Sequence, residues 1–532
     1  MNKHDLVRVL TVSAVAVPAL LLGASIASAQ AIPILSDGFP AHVPIATCGP
    51  GDHTEKGLQG ETTEQERFSG DSETAYNCNL ELVGEEPQAT YQGAYSQDGP
   101  AYYDVCAYYG SDNGLTTGQG IKVIDASDPR HPVVTANLTD SPAALVPHET
   151  VHANAKSRLL VAGQDGGPNF AVYDISNCRH PVLKASLDLP GSNGHMGEFA
   201  PDGQTFWLSQ NPCCSGTGGP LYVVDSHPSN PLMLPTWTFS GDGRPHSLNL
   251  NWDGFLPGVP EGTRAYMGQG ASFPYTGRQD GLVITDVSDY QFRRPNPQIR
   301  IISRLFWTDQ GLTESMIPVH INGHPYLITT DEGGGASSAD GWAGACTRGM
   351  SAFGYPQIID VADETHPKII SKLRLQVSDP TNCAALLAET PPDSPGTAPG
   401  TNLPAISGTT NYSEETCEPD NQKHTKMLAC GFQNAQLRVF DVSDPTHPKE
   451  IAYWKSGAVR TRVLPASGSW APGVDRTVDK IAHWVHWNRH GDEVQLWTVS
   501  DGHGFQALRF PEKFVAQHRD LFQDAGQSSP SL

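Results

Sequence analysis

Histidine residues recur in this chain at a spacing that could build a metal site. His148, His195 and His246 follow one another at intervals of 47 and 51 residues, each after a loop rich in Pro, Gly or Asp. Neutral imidazole is a common ligand for Zn, Cu, Fe and Ni, and three or four converging imidazoles leave an open position for a substrate. The alternative is a set of polar residues that line a wet channel and bond to backbone groups. The candidate ligands of a transition metal ion (Cu, Zn or Fe) are His148, His195, His246, His320, His483 and His503.

Acidic residues near these histidines could act as further ligands or as a general base. A lone carboxylate is more often a solvated loop residue, so convergence with the imidazoles is what would make one of them catalytic. The candidates for catalysis are Glu149, Glu198 and Glu332, and the carboxylates of Glu314 and Asp331 could reach the same place.

Residues 148–152, His-Glu-Thr-Val-His, match the H-E-x-x-H pattern of zinc proteases. That chemistry requires a helix, so that both histidines share one face. Pro147 precedes the segment, and the β-branched Thr150 and Val151 favour a strand. No third ligand follows at the spacing known for such proteases. We therefore predict a strand here, on which His148 and His152 share a face, and no protease site.

A repeated phrase indicates which elements position these side chains. Each copy has a β-branched run, an aspartate, a polar turn and a second apolar run, which predicts strand, turn, strand. The residues before each copy supply two more strands, and four antiparallel strands in roughly 45 residues are typical of a propeller blade. The six copies, too many for chance, are residues 120–132, 170–181, 221–231, 281–289, 357–367 and 437–448.

A seventh blade is predicted at the end of the chain. Residues 481–488, 493–499 and 504–510 supply three strands, and the N-terminal segment 75–83 can supply the fourth, which leaves no open edge. The predicted fold is all-β: a seven-bladed β-propeller of four-stranded antiparallel blades, with the ring closed by an N-terminal strand. The predicted organisation is a signal peptide (1–29), an N-terminal extension (30–74), the propeller (75–512) with a long loop insertion (379–423), and a polar C-terminal tail (513–532).

The repeated phrases resemble the LVIVD-repeat family, as in residues 282–286, Leu-Val-Ile-Thr-Asp, and 437–441, Leu-Arg-Val-Phe-Asp. The resemblance implies a propeller, a fold that serves many purposes. The His-rich inner strands are also similar to those of the selenium-binding protein and methanethiol oxidase group, which is the reason that copper is included among the candidate ions.

Propeller geometry sorts the histidines by position. Inner strands begin, and second strands end, on one face of the disc, so the candidate ligands would meet at the mouth of the central channel on that face. The turn between the third and fourth strands lies on the other face. We interpret the histidines of that turn as turn residues: His131, His180, His366 and His447.

The chain begins like an exported protein. Lys3 and Arg8 precede an apolar run that ends at the small residues 27–29, which predicts a signal peptide removed before Gln30. A membrane anchor is the alternative, and no later stretch is long and apolar enough to span a bilayer. All ten cysteines follow the cleavage point, which fits disulfide bonding in an oxidising compartment. A disulfide between Cys383 and Cys417 would staple the long insertion.

Two functions follow from these observations. The first is a metal-dependent enzyme, secreted or in the cell envelope, that oxidises or hydrolyses a small molecule. The second is a non-catalytic binding module whose loops hold a partner protein or a cell-wall glycan. The formal net charge of −23 disfavours nucleic acids and anionic membranes as partners, and no nucleotide-binding motif is present in the sequence.

Overall fold

The protein is a seven-bladed β-propeller of four-stranded antiparallel sheets, as the repeats predict. The innermost strands of neighbouring blades contact one another around a central channel. The computed structural model describes residues 37–87, 101–110, 120–164, 166–192, 194–210, 220–227, 232–235, 237–238, 244–270, 280–337, 341–389, 411–458, 460–464, 473–477, 479–481, 485–490, 493–500 and 502–526. The predicted signal peptide lies outside these residues.

The strands of each blade follow the chain from the innermost, at the channel, to the outermost, at the rim. Blade 1 comprises Ala101–Tyr103, Cys106–Gly110, Ile121–Asp125 and Val133–Leu138. Blade 2 comprises His152–Asn154, Leu159–Gly163, Asn169–Asp174 and Val182–Asp188. Blade 3 comprises Gly194–Phe199, Thr205–Gln210, Pro220–Asp225 and an interrupted outer strand, Leu232–Met233 with Trp237–Thr238. Blade 4 comprises Arg244–Leu250, Arg264–Gly270, Asp280–Asp286 and Arg300–Trp307.

The later blades follow the same order. Blade 5 comprises Thr313–Ile321, His324–Asp331, Gln357–Asp360 and Lys368–Lys372. Blade 6 comprises Thr416–Pro419, Met427–Phe432, Gln436–Asp441 and Lys449–Lys455. Blade 7 contributes His486–His490, Glu493–Ser500 and Gly504–Arg509, and a separate ribbon pairs Arg460–Leu464 with Gly473–Thr477.

The repeated aspartate ends the third strand of blades 1 to 6 because its side chain closes the turn that follows. In each of the six, Oδ1 accepts a hydrogen bond from the backbone N–H two residues later, at 2.8 to 3.2 Å. This is an Asx turn, which mimics a backbone turn and releases the chain into the fourth strand. The aspartates are Asp125, Asp174, Asp225, Asp286, Asp360 and Asp441.

The histidines of the same turns are turn residues, as predicted. In three blades the ring Nδ1 lies 2.9 to 3.1 Å from the carboxylate of an aspartate three residues earlier, and these rings are highly exposed. The pairs are His131 with Asp128, His366 with Asp363, and His447 with Asp444. In blade 2 the backbone N–H of His180 donates to the carbonyl of Asn177 in the same kind of turn.

An N-terminal strand closes the ring. Glu81–Glu86 pairs with Gly504–Arg509 as the outermost strand of blade 7. Just before it, Tyr76–Cys78 pairs with Lys449–Lys455 as a fifth strand on blade 6. The predicted closing segment, 75–83, therefore serves two adjacent blades.

The remaining elements are short helices outside the sheets. None of the described helices has the length and apolar character needed to cross a membrane. The described part of the C-terminal tail is not merely polar, because Phe514 and Phe522 pack into the apolar core of blades 6 and 7. The α-helices are Glu64–Ser69, Pro142–Leu145, Ser288–Gln291, Gly341–Thr347, Cys383–Glu389, Glu512–Gln517 and Arg519–Phe522, and the 3-10 helices are Asp71–Glu73, His148–Thr150, Gly334–Ser337, Gln376–Ser378, Pro380–Asn382 and Gln433–Ala435.

Four disulfides are present among the described cysteines: Cys48–Cys78, Cys106–Cys178, Cys346–Cys383 and Cys417–Cys430. The predicted staple between Cys383 and Cys417 is therefore wrong. Each of these cysteines has a nearer partner, because Cys417 lies in the inner strand of blade 6, directly beside Cys430 on the second strand. The inner strand of blade 6 thus begins inside the segment predicted as an insertion.

Candidate metal centre

Five side chains from blades 2 to 5 meet at one mouth of the channel. His195 Nε2 lies 2.9 Å from His246 Nε2 and 3.3 Å from Glu149 Oε2, and the two imidazole rings are stacked. Ligand atoms of His246, Glu314 and Glu332 also lie within 4.8 Å of one another. His246 belongs to both groups, so the five residues form one continuous cluster, which we call the mouth cluster.

A β-bulge near the start of the inner strands of blades 3, 4 and 5 positions three of these residues. The strand register shifts between Gly194 and Gly197 in blade 3, between Pro245 and Ser247 in blade 4, and between Thr313 and Met316 in blade 5. The bulged segments carry His195, His246 and Glu314. A bulge inserts one residue, bends the strand and re-aims a side chain, which here brings corresponding positions of three blades to one point.

Glu149 reaches the cluster from a different local structure. Residues 148–150 form a single 3-10 turn, and the inner strand of blade 2 begins only at His152. The prediction of a strand through His148 is therefore wrong, although the absence of an α-helix at the H-E-x-x-H pattern is confirmed. Pro147 accepts the backbone hydrogen bond of Thr150, which closes the turn.

The mouth cluster is rich in buried carboxyl groups. Glu314 is fully buried, and no described lysine or arginine forms an ion pair with it. Burial raises the pKa of the Glu314 carboxyl well above its ordinary value, and the nearby carboxylates of Glu149 and Glu332 raise it further. Burial also raises the pKa of Glu332, although His195 and Lys480 oppose that shift.

Asp331 holds the loop that carries Glu332. Its Oδ2 accepts hydrogen bonds from the backbone N–H groups of Gly311 and Leu312 at 3.0 Å, and its Oδ1 accepts one from Gly334 at 2.6 Å. Burial raises the pKa of Asp331 to about 7 in spite of these bonds. Asp331 is therefore a positioning residue rather than a member of the cluster.

Two predicted ligands lie elsewhere. The inner strand of blade 5 begins at Thr313, so His320 lies at its opposite end, where its Nε2 is 2.8 Å from the carbonyl of Phe255. The residue at the start of that strand is Glu314. His503 lies toward the rim of blade 7, with ring nitrogens 3.1 Å from the carbonyl of Gly457 and 3.5 Å from Glu85.

The structure describes the side chain of one of the other three candidates, Glu198. Glu198 faces the channel three residues beyond His195, where it accepts hydrogen bonds from Phe199 N at 2.8 Å and Asn249 Nδ2 at 3.2 Å. Burial raises the pKa of Glu198 to about 7. The side chain of His148 and the whole of His483 lie outside the described residues, so their roles stay predictions.

A second ring of polar residues was missed by the sequence interpretation. It lies deeper in the channel and includes His152, Glu418 and His486. Members of this ring follow members of the mouth cluster by three positions, as His152 follows Glu149. An unbulged strand alternates its faces with a period of two, so a spacing of three predicts a shared face only once the bulges are known.

Comparison with known proteins supports the fold. Residues 430–454 match the LVIVD repeat. Blade 6 contains an LVIVD repeat. A comparison of the sequence with curated proteins finds no match.

Solved structures with a partly similar chain path have varied descriptions. The WD40 domain of Toxoplasma gondii coronin is 9% identical, with 90% of this chain and 91% of that chain covered and a TM-score of 0.45. A hypothetical selenium-binding protein from Sulfolobus tokodaii is 12% identical (78% and 92% covered, TM-score 0.42). The periplasmic gluconolactonase of Pseudomonas aeruginosa is 12% identical (81% and 94% covered, TM-score 0.40). Likeness at this level does not extend to activity.

Proposed function

We propose that this protein is an exported, metal-dependent enzyme acting on a small molecule, with the ion held by the mouth cluster. The observation that carries the proposal is the convergence of two imidazoles and a carboxylate, with His195 Nε2 2.9 Å from His246 Nε2 and 3.3 Å from Glu149 Oε2. Neighbouring ligand atoms around a tetrahedral zinc ion are about 3.3 Å apart. The described side chains are thus close to the spacing that an ion imposes.

The buried carboxyl groups of the mouth cluster also support the binding of a metal ion. Burying carboxylates without cations costs several kcal/mol for each ion. The mouth cluster contains Glu149, Glu314 and Glu332, and Glu414 and Glu415 are buried close enough to raise the pKa of Glu314. A divalent cation would stabilise the ionised form of these carboxyl groups.

The donor set favours Zn²⁺ or Fe²⁺. Imidazole nitrogen and carboxylate oxygen suit both ions, whereas Cu(I) favours sulfur ligands, which the mouth cluster lacks among the described residues. Glu149, His195 and His246 would supply three ligands and leave positions open. A bound ion of this kind would act as a Lewis acid toward a substrate oxygen. Glu314 and Glu332 would then be a further ligand and a general base.

The proposal also includes export of the protein from the cytoplasm and a small molecule as its substrate. Four disulfides are typical of proteins that fold outside the cytoplasm. The net charge of −23 would repel polyanions, and a site inside a channel admits small molecules more readily than folded partners.

The test is elemental analysis of the purified protein by mass spectrometry, after loading with Zn²⁺ or Fe²⁺ and removal of excess ion. We expect about one ion per chain. The His195→Ala/His246→Ala double variant should lose it. The single variant Glu314→Gln, which preserves shape, should lower the affinity for the ion by roughly tenfold or more, because a charged ligand becomes neutral.

His320→Ala is the matched control, because it removes an imidazole from an inner strand outside the cluster. It should retain the ion, and thermal unfolding should show that every variant is folded. A wild-type protein that binds neither ion, or a double variant that binds as well as wild type, would overturn the proposal and favour the non-catalytic binding module.

A further inference from the structure

A partly enclosed chamber lies in the channel beyond the mouth cluster. Its volume is about 80 Å³, and its polar lining comes from six of the seven blades. A buried water needs about 10–15 Å³ of such space, so the chamber has room for roughly five such groups. The polar residues are Tyr102, His152, Glu198, Asn249, Glu418, Gln422 and His486, and apolar side chains such as Leu250, Ile317 and Val485 fill the wall between them.

The chamber is a built site rather than a gap in the packing. Asn249 donates to Glu198 through Nδ2 at 3.2 Å and accepts a hydrogen bond from Met316 N at 2.8 Å, which ties blades 3, 4 and 5 together. On the other side, the ring of His486 stacks on Tyr102 at 4.7 Å. These contacts fix the positions of groups that face the space.

Negative and neutral acceptors dominate the lining. No lysine or arginine is among the described lining residues. Glu418 accepts no side-chain hydrogen bond from any described residue, and the ring of His486 has stacking neighbours but no described hydrogen-bond partner. Burial raises the pKa of Glu198 to about 7 and that of Glu418 to about 8, and a bound cation would favour the ionised form of both.

The chamber does not have the geometry of a metal site. Ligand atoms of the mouth cluster form two groups of three, each within 4.8 Å, whereas the described carboxylates and imidazoles of the chamber form no such group. A bare ion would therefore lack close ligands. A ligand that brings several hydrogen-bond donors and some apolar surface matches the lining better.

We propose that this chamber binds a small organic cation, a protonated primary amine of about five non-hydrogen atoms. An ammonium group carries three N–H donors, which could serve the carboxylates of Glu198 and Glu418. Its charge would be stabilised by both carboxylates and by the face of Tyr102. A short hydrocarbon stem would contact the apolar wall, and the carboxylates would repel anions.

This site is separate from the mouth cluster and does not depend on the proposed metal. The chamber residues follow the cluster residues by three positions along the inner strands of blades 2 to 4. Two lining residues, Pro201 and Gln422, belong to turns that follow inner strands. The chamber therefore lies toward the face opposite the cluster.

The experiment is isothermal titration calorimetry with n-propylamine as the probe, at about pH 7 and in EDTA so that no metal competes for the amine. We expect saturable binding of n-propylamine, at least about tenfold weaker binding of 1-propanol, and no binding of propionate, because only the amine supplies charged donors.

Variants of the chamber residues test whether the amine binds in the chamber. Glu418→Gln should weaken amine binding by about tenfold or more, and Glu198→Gln provides a second probe if that variant is unstable. Glu314→Gln, in the mouth cluster, is the matched control and should leave amine binding unchanged. No saturable binding, equal binding of 1-propanol, or an effect of Glu314→Gln without one of Glu418→Gln or Glu198→Gln would each overturn the assignment.

Discussion

Carboxyl groups rather than cations set the charge balance inside the channel. At the mouth, Glu149 and Glu314 lie beside two imidazoles, and deeper down Glu198 and Glu418 lie beside an amide and two further imidazoles. A buried carboxyl group without a cation takes up a proton or attracts a cation from solution. The mouth cluster and the chamber differ in the spacing of their ligand atoms. The closely spaced atoms of the cluster suit a metal ion, whereas the atoms around the chamber suit a larger cation.

At the scale of single residues, we expect the Glu418→Gln substitution to change how the stability of the protein depends on pH. Burial raises the pKa of Glu418 from 4.5 to about 8. Its contribution to stability is therefore complete below about pH 4.5 and is lost as the pH rises through about 8. Gln does not titrate, so the variant should gain in melting temperature relative to wild type between about pH 5 and pH 9, by about 2 °C or more.

Calorimetry in EDTA without amine would measure this gain. Glu198, His486 and Tyr102 face Glu418 in both proteins, so their own titration largely cancels in the difference. A difference between variant and wild type that stays the same at both pH values would show that the Glu418 carboxyl does not ionise in this range.

Among the secondary-structure elements, the bulged inner strands are the ones that make the site. The bulges of blades 3, 4 and 5 occur at corresponding positions, and each turns a potential ligand toward the same point. Close packing between blades supports them. Gly268, on the second strand of blade 4, lies against the bulge of blade 5, where a Cβ atom would be 2.1 Å from the carbonyl oxygen of Glu314.

Gly268→Ala should therefore displace the Glu314 bulge. We expect at least about tenfold weaker metal binding and a loss of stability of about 1–3 kcal/mol, the usual range for overpacking. Metal titration and thermal unfolding would measure both. Gly49→Ala is the control, because its Cβ would have ordinary contacts, the nearest at 3.5 Å; equal metal affinity in the two variants would contradict the packing argument.

At the scale of the whole molecule, the N-terminal segment locks the ring. It completes blade 7, extends blade 6, and is tied to blade 6 by a buried ion pair between Glu55 Oε2 and Arg438 Nη2 at 2.8 Å. Burial alone would raise the pKa of Glu55, but Arg438 and Lys455 outweigh it and hold that pKa below its ordinary value. The disulfide Cys48–Cys78 closes a loop within the segment.

Removal of the Cys48–Cys78 disulfide tests how much this bond contributes to holding the N-terminal segment on the ring. The Cys48→Ser/Cys78→Ser variant should lose about 3–4 kcal/mol, because the unfolded chain regains the entropy of a loop spanning 30 residues. Denaturant unfolding under non-reducing conditions measures the loss. An unchanged midpoint would show that strand pairing and the Glu55–Arg438 pair suffice to hold the segment.

The sequence by itself determined the architecture of this protein. The six aspartate turns are local, since each side chain bonds its own backbone two residues on, and the β-branched runs beside them form strands in any blade. Six repeats, with three further strands at the end of the chain and one near its start, therefore predict seven blades and an N-terminal closing strand. His195 and His246 could be selected because they occupy equivalent places in adjacent repeats.

Only the tertiary structure decided which residues share the site. The inner strand of blade 5 begins at Thr313, so Glu314 rather than His320 is the blade 5 member of the cluster, and a bulge without an obvious local signal re-aims its side chain. Disulfide partners are likewise set by contacts between strands, as for Cys417 and Cys430. The chamber exists because seven inner strands bring residues far apart in sequence to one axis, and no local pattern records which side chains meet there.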